Sequence, residues 1–179
     1  MRVAVCIGSG PSLTRADCDR AASGADWLIA CNESWRLAEW AHALYAGDYA
    51  WWDAHHHEVP AHLEKWTCAA SAAERFRLHL HRTAPCAMYN SGQRALELAI
   101  AKGFERILLL GYDCSVARGA HWHDDHRGGA AKNPDAQRCA QWQSQFAAID
   151  PGGAQILNCS RDTALTAFPR MALEDALVL

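Results

Sequence analysis

The sequence predicts a single doubly wound, Rossmann-like α/β domain with a mostly parallel sheet, and three observations carry that expectation. Short apolar runs alternate with stretches of helical period, the pattern of consecutive βαβ units. The best runs are apolar throughout, as in strands covered by helices on both faces. Each run also stops at a small or polar residue, so that Ser9, Asn32, Asp48, Asp113 and Asn158 can face one crevice beyond the carboxyl ends of the strands. At 179 residues, half of them hydrophobic, the chain can bury one sizeable core and is short for two, so residues 1–179 read as one nucleotide-binding domain.

The elements follow in order. Residues 3–7 are a continuous apolar run, and the turn Gly8-Ser9-Gly10-Pro11-Ser12 leads from it into an expected helix. Residues 27–31 form a second strand ending at Asn32, and residues 43–46 a third ending at Gly47-Asp48. A helix is expected over Ser91–Ala101, with Ser91 as N-cap, Leu96, Ala99 and Ile100 as its apolar stripe and Gly103 as its stop. It turns into the clearest strand, 106–110, which ends at Gly111-Tyr112-Asp113. Residues 115–132 carry glycines, charges and histidines without period, a long functional or mobile loop. A helix over 134–148 with Asn133 as cap places Trp142 and Phe146 on one face. A weaker strand at 155–157 and a short closing helix at 171–177 complete the chain.

Composition narrows the function classes. A formal net charge of -3 and a pI near 6.3, with 17 scattered Lys and Arg, give no broad basic field, so duplex nucleic acid is not an expected partner. No apolar run is long enough to span a membrane, and the short first run leads straight into a glycine turn rather than a signal segment. The 8 cysteines stand singly, with no Cys-x-x-Cys pair, which fits reduced, buried thiols in a cytoplasmic protein. Nothing in the sequence fixes whether the chain forms a homo-oligomer.

The chemistry-bearing residues lie mainly at the strand ends. In the 8–12 turn, glycines allow close backbone approach, and amides at a helix start attract phosphate oxygens. The turn has no following lysine and no third glycine, so it is neither a Walker loop nor a full dinucleotide fingerprint. Asn32 offers a donor and an acceptor to a phosphate, sugar or base edge, or caps a turn. Asn90-Ser91-Gly92 opens a second helix whose dipole would favour an anion. Asp113 is placed to accept ribose hydroxyls, to act as a base or to cap its loop. His121, His123, Asp124, Asp125 and His126 form the densest titratable cluster, and histidine is suited to proton removal near neutral pH. The set does not specify a metal site. Of His55-His56-His57, at most one or two can face a site, and Trp51-Trp52 either packs in the core or stacks on a base.

The order of Val5-Cys-Ile-Gly-Ser-Gly-Pro-Ser-Leu, Ala30-Cys-Asn-Glu-Ser-Trp, Tyr89-Asn-Ser-Gly and Leu109-Leu-Gly-Tyr-Asp-Cys-Ser resembles a superfamily that includes the bacterial CMP-sialic acid sialyltransferases. Proteins of the motility-accessory and pterin pyrophosphokinase type, and short phage-borne relatives, are similar. The resemblance runs from residue 3 to about 115, with an echo in Asn158-Cys-Ser and Phe168-Pro-Arg-Met. It implies nucleotide contacts from Gly8, Ser9, Gly10, Asn32, Ser91, Gly92, Gly111 and Asp113. It also implies a metal-independent transfer in which His123 or His121 takes the acceptor's proton. The segment corresponding to the sialyltransferase lid is here a loop rich in Gly, His and Asp.

Together these features lead to the expectation of a small transferase that moves a sugar from a nucleotide sugar to an acceptor hydroxyl of unidentified source. The nucleotide would lie across Gly8, Ser9, Gly10, Pro11, Ser12, Asn32, Asp48, Asn90, Ser91, Gly92, Gly111 and Tyr112. His123, His121 and Asp113 are the catalytic candidates, and Arg118 or Arg127 would stabilise the departing phosphate. No tightly bound cofactor is expected. One alternative is pyrophosphoryl transfer with Mg²⁺ held by Asp48, Asp113 or Asp124. Another is a non-catalytic nucleotide-binding or phage accessory protein.

Overall fold

The computed structural model describes residues 1–83, 89–123 and 133–179. Their elements are, in chain order, β1 (Val3–Ile7), α1 (Arg15–Ala22), β2 (Trp27–Cys31), a 3-10 turn (Asn32–Arg36), β3 (Ala43–Tyr45), α2 (Tyr49–His55), β4 (Glu64–Thr67), α3 (Ala70–Phe76), β5 (His79–Leu80), α4 (Ser91–Ala101), β6 (Arg106–Leu110), α5 (Ala136–Ala147), β7 (Gln155–Asn158) and α6 (Leu173–Val178).

Among the described residues the strands form one sheet in the order β5-β4-β3-β2-β1-β6-β7, and every neighbouring pair is parallel. The chain winds outward from β1 to β5, and α4 then carries it back to the far side of β1. Strand order therefore reverses between β1 and β6, the position where open α/β sheets bind their ligands.

Strand alternation divides the central apolar runs between two cores. Val3, Val5, Ile7, Leu28, Ala30, Leu108 and Leu110 pack with residues of α1, α2, α3 and α6. Ala4, Cys6, Ile29, Ile107 and Leu109 lie on the opposite side with residues of α4 and α5. The fold is thus doubly wound and Rossmann-like, with helices on both faces. Trp51 and Trp52 belong to the first core and are almost fully buried, with the Trp52 indole donating to Ala46 O at 2.8 Å. They are core residues rather than stacking platforms.

Several boundaries differ from the sequence expectation for local reasons. The 8–12 turn does not open α1 directly: Thr14 caps that helix, and Thr14 and Asp17 form a reciprocal capping box. Asn90, not Ser91, caps α4, accepting from Gln93 N at 2.8 Å. Asp135, not Asn133, caps α5, accepting from Arg138 N at 2.7 Å. The third predicted strand ends one residue earlier, at Tyr45, and the closing helix starts later, at Leu173. β4 and β5 escaped notice because neither is an apolar run, and both are partly exposed near or at the sheet edge. Of the expected long loop, residues 115–123 lack regular structure beyond a single bridge between Ala117 and Gly119. Asp124, Asp125, His126 and Arg127 lie outside the described residues.

All of the described cysteines are free. Burial pushes the Cys18, Cys31, Cys114 and Cys159 thiols up to about 12 and that of Cys6 well above its usual value, so these are unreactive near neutral pH. Among the described residues no helix is long and apolar enough to cross a membrane.

Candidate functional site

Beyond the carboxyl ends of β1, β2 and β6 lies a cleft enclosing about 140 Å³, walled by the first turn of α4 and by α5. Gly8, Ser9, Gly10, Asn32, Asp48, Asn90, Ser91, Gly92, Gly111, Tyr112, Asp113 and His121 line it. Pro11, Ser12 and His123 do not. Pro11 instead faces a separate small hollow beside Arg118 and Asp162.

The glycine turn has a different task from the one its composition suggests. Gly8 N donates to Leu110 O at 2.7 Å, Gly10 N to Gly111 O at 2.8 Å and Leu13 N to Gly10 O at 3.1 Å. Ser12 donates from both N and Oγ to the Asp113 carboxylate, at 2.8 and 2.7 Å. The anion collected at the end of this turn is therefore the chain's own Asp113. Among the described residues only the Ser9 amide of the turn lacks an acceptor. The glycines answer to the same packing: a Cβ on Gly10 would lie 2.3 Å from Asp113 Oδ1, and one on Gly8 2.6 Å from Gly111 O. Burial pushes the Asp113 pKa above the ordinary carboxylate value, partly offset by the two Ser12 bonds. Asp113 is thus a strut joining the β1 and β6 loops, occupied in a way that leaves it poorly placed to move a substrate proton.

The anion-favouring helix end at the cleft is that of α4. Asn90 satisfies Gln93 N, while the Ser91 and Gly92 amides, in the first turn, have no acceptor among the described residues. Ser91 Oγ donates to Asn32 Oδ1 at 3.2 Å and accepts from Gly47 N at 3.1 Å, which ties α4 to the ends of β2 and β3. Asn32 has φ +49, a left-handed conformation that asparagine tolerates better than most residues. Its bond to Ser91 orients the side chain, and among the described residues its Nδ2 has no acceptor. Tyr112 is buried and its hydroxyl donates to Gly92 O at 2.9 Å, so it lines the cleft as a wall with its polar end already satisfied.

α5 supplies a cation that sequence reasoning placed elsewhere. Arg118 pairs with Asp162 at 3.0 Å outside the cleft, whereas Arg138 lines it and has no carboxylate partner among the described residues. Arg138 follows Asp135 by three residues, so the newly located helix cap is the feature that brings it to the cleft edge.

The two histidines part company. His121 Nδ1 lies 3.0 Å from Ser9 Oγ, at the cleft. His123 stacks on it, with ring centroids 4.8 Å apart and planes inclined by 4°, and places Nε2 3.7 Å from Glu33 Oε2. Glu33 is buried, accepts from the Trp51 indole at 3.0 Å and has His55 Nε2 3.5 Å from the same oxygen. Between the histidines, Trp122 N donates to Ser9 O at 3.0 Å and its indole to Ser34 Oγ at 3.3 Å. Of the histidine triplet only His55 reaches this cluster. His56 contacts Trp52 O and His57 is exposed beside Glu58. Glu33 was missed because a glutamate beside Asn32 is expected to face solvent, and only the fold buries it.

No protein-family model matches the chain, and a search of curated proteins gives no match. Among the described residues the cleft offers unsatisfied donors from α4, Ser9 and Asn32, the Arg138 guanidinium, and an imidazole beside a hydroxyl.

Proposed function

We propose that the cleft binds the phosphate-bearing part of a nucleotide-activated donor, a nucleotide sugar, and that the protein transfers its activated group to a hydroxyl. The observation that carries this reading is the convergence of donors at the strand-order reversal. The Ser91 and Gly92 amides, the Ser9 amide, Asn32 Nδ2 and Arg138 all belong to residues lining one cleft, and a phosphate supplies the acceptors they lack. The enclosed volume of about 140 Å³ is below the roughly 300–1,000 Å³ of drug-sized pockets, so phosphate and ribose would be enclosed and the rest would project outward. The resemblance to the sialyltransferase superfamily supports the same class of ligand.

His121 would take the acceptor's proton, a role supported by its position in the cleft while His123 faces Glu33. Arg138 and the α4 amides would receive the charge on the departing phosphate. The Mg²⁺-dependent alternative would need Asp48, Asp113 or Asp124, and Asp113 already has both oxygens engaged by Ser12.

Calorimetric titration with CMP, CDP, UDP, GDP and ATP tests the binding. Asn32→Gly, which keeps the positive φ without strain, and Arg138→Ala should each weaken the bound nucleotide about tenfold or more, given roughly 1.5–3 kcal/mol for a hydrogen bond to a charged group. His121→Ala should spare binding and lose turnover. Unchanged affinity in both binding variants would contradict the assignment.

A further inference from the structure

The hydroxyl nearest to the candidate base belongs to the protein itself. Ser9 Oγ and His121 Nδ1 are 3.0 Å apart, and Ser9 lies in the sharp turn just past the end of the central strand β1. Ser9 is only half-buried and lines the cleft, so an electrophile can reach it. Three other serine hydroxyls nearby are held by partners other than a histidine. Ser12 Oγ donates to Asp113, Ser34 Oγ to Gly8 O at 2.8 Å and Ser91 Oγ to Asn32. His121 is itself held firmly, stacked on His123 and tied to the turn after β1 through the bond from the neighbouring Trp122 N to Ser9 O.

We infer that Ser9 is a nucleophile activated by His121, and that the cleft forms a covalent phosphoseryl intermediate with a phosphoryl ester or anhydride. With His121 neutral and its proton on Nε2, Nδ1 accepts the Ser9 proton as Oγ bonds to phosphorus. The bond from phosphorus to the leaving oxygen breaks, and that oxygen departs with the electron pair and takes the proton from His121. A water or acceptor hydroxyl, deprotonated by the same Nδ1, then attacks the phosphoserine, and Ser9 leaves with the pair and recovers its proton. No redox partner is required. The Ser91 and Gly92 amides and Arg138 supply the donors that such a phosphoryl group needs. The inference goes beyond nucleotide binding and does not depend on it, since it requires only an electrophilic phosphorus.

Diisopropyl fluorophosphate, followed by intact-mass and peptide mapping of the full chain, tests this directly. The expected result is one adduct per chain, on Ser9, with fluoride as the leaving group. Ser9→Ala should abolish it, and His121→Ala should slow it about a hundredfold or more, with partial recovery in added imidazole. Recovery by imidazole separates lost base from lost fold, because a misfolded chain gains nothing from it. Absence of an adduct, labelling spread over several serines, or a rate unchanged in His121→Ala would overturn the inference, and none of these outcomes bears on whether nucleotides bind.

Discussion

Gly10 illustrates how a residue that suggests ligand binding can answer first to packing. Its missing Cβ leaves room for the Asp113 carboxylate, which would otherwise be 2.3 Å away. Gly10→Ala should therefore cost about 1–3 kcal/mol in urea denaturation, the range of an overpacked site, even with no ligand present. Asp17 provides a pH signature. Burial pushes its pKa up, but Arg161, which donates from Nε and Nη2 at 2.8 Å each, and Thr14 together hold it below the ordinary value. The native state thus binds fewer protons at this site than the unfolded chain. Its stabilising contribution is complete above the unfolded carboxylate pKa and is lost as pH falls through the lower folded value. In Arg161→Ala the acid limb of the stability curve should begin at a higher pH, which denaturation across pH 2–6 would show. At this scale the sequence exposed residue types without their partners. Ser9, Asn32 and His121 could be named from the chain, but Glu33, Arg138 and the capture of Asp113 by Ser12 depend on contacts between distant residues.

Among the elements, α4 does most to position the site, and its bounds were legible because apolar spacing and Gly103 agree. Its cap was displaced by one residue because Asn90 and Ser91 are both good capping types and only the fold commits Ser91 Oγ to Asn32. That distinction permits a clean separation of stability from binding. Asn90→Asp keeps an acceptor for Gln93 N and should leave the melting temperature nearly unchanged. The added negative charge at the phosphate end should weaken nucleotide binding by roughly 1 kcal/mol, about fivefold. Asn90→Ala should instead cost about 1 kcal/mol of stability. The α1 turn was harder to read, because strand, glycine turn and helix follow one another in the same order whether or not residues intervene. Thr14 and Asp17 place the helix start beyond the turn, and that moves the helix dipole away from the 8–12 amides.

For the molecule as a whole, the central sheet was readable from continuous apolar runs, and the edge strands were not, because partial exposure removes that pattern. Leu108, wholly buried in the interior strand β6, should cost about 2–5 kcal/mol when replaced by Ala. The reversal of strand order between β1 and β6 concentrates the unsatisfied donors in one place, and the functional reading rests on that convergence. Thermal denaturation with CMP, CDP, UDP, GDP and ATP, each with and without Mg²⁺, tests it most directly. The expected result is that at least one nucleotide, at a hundred times its Kd, stabilises the protein by about 2.7 kcal/mol, and that Arg138→Ala removes about half of that shift or more. No shift with any of the five, in either condition, would contradict it.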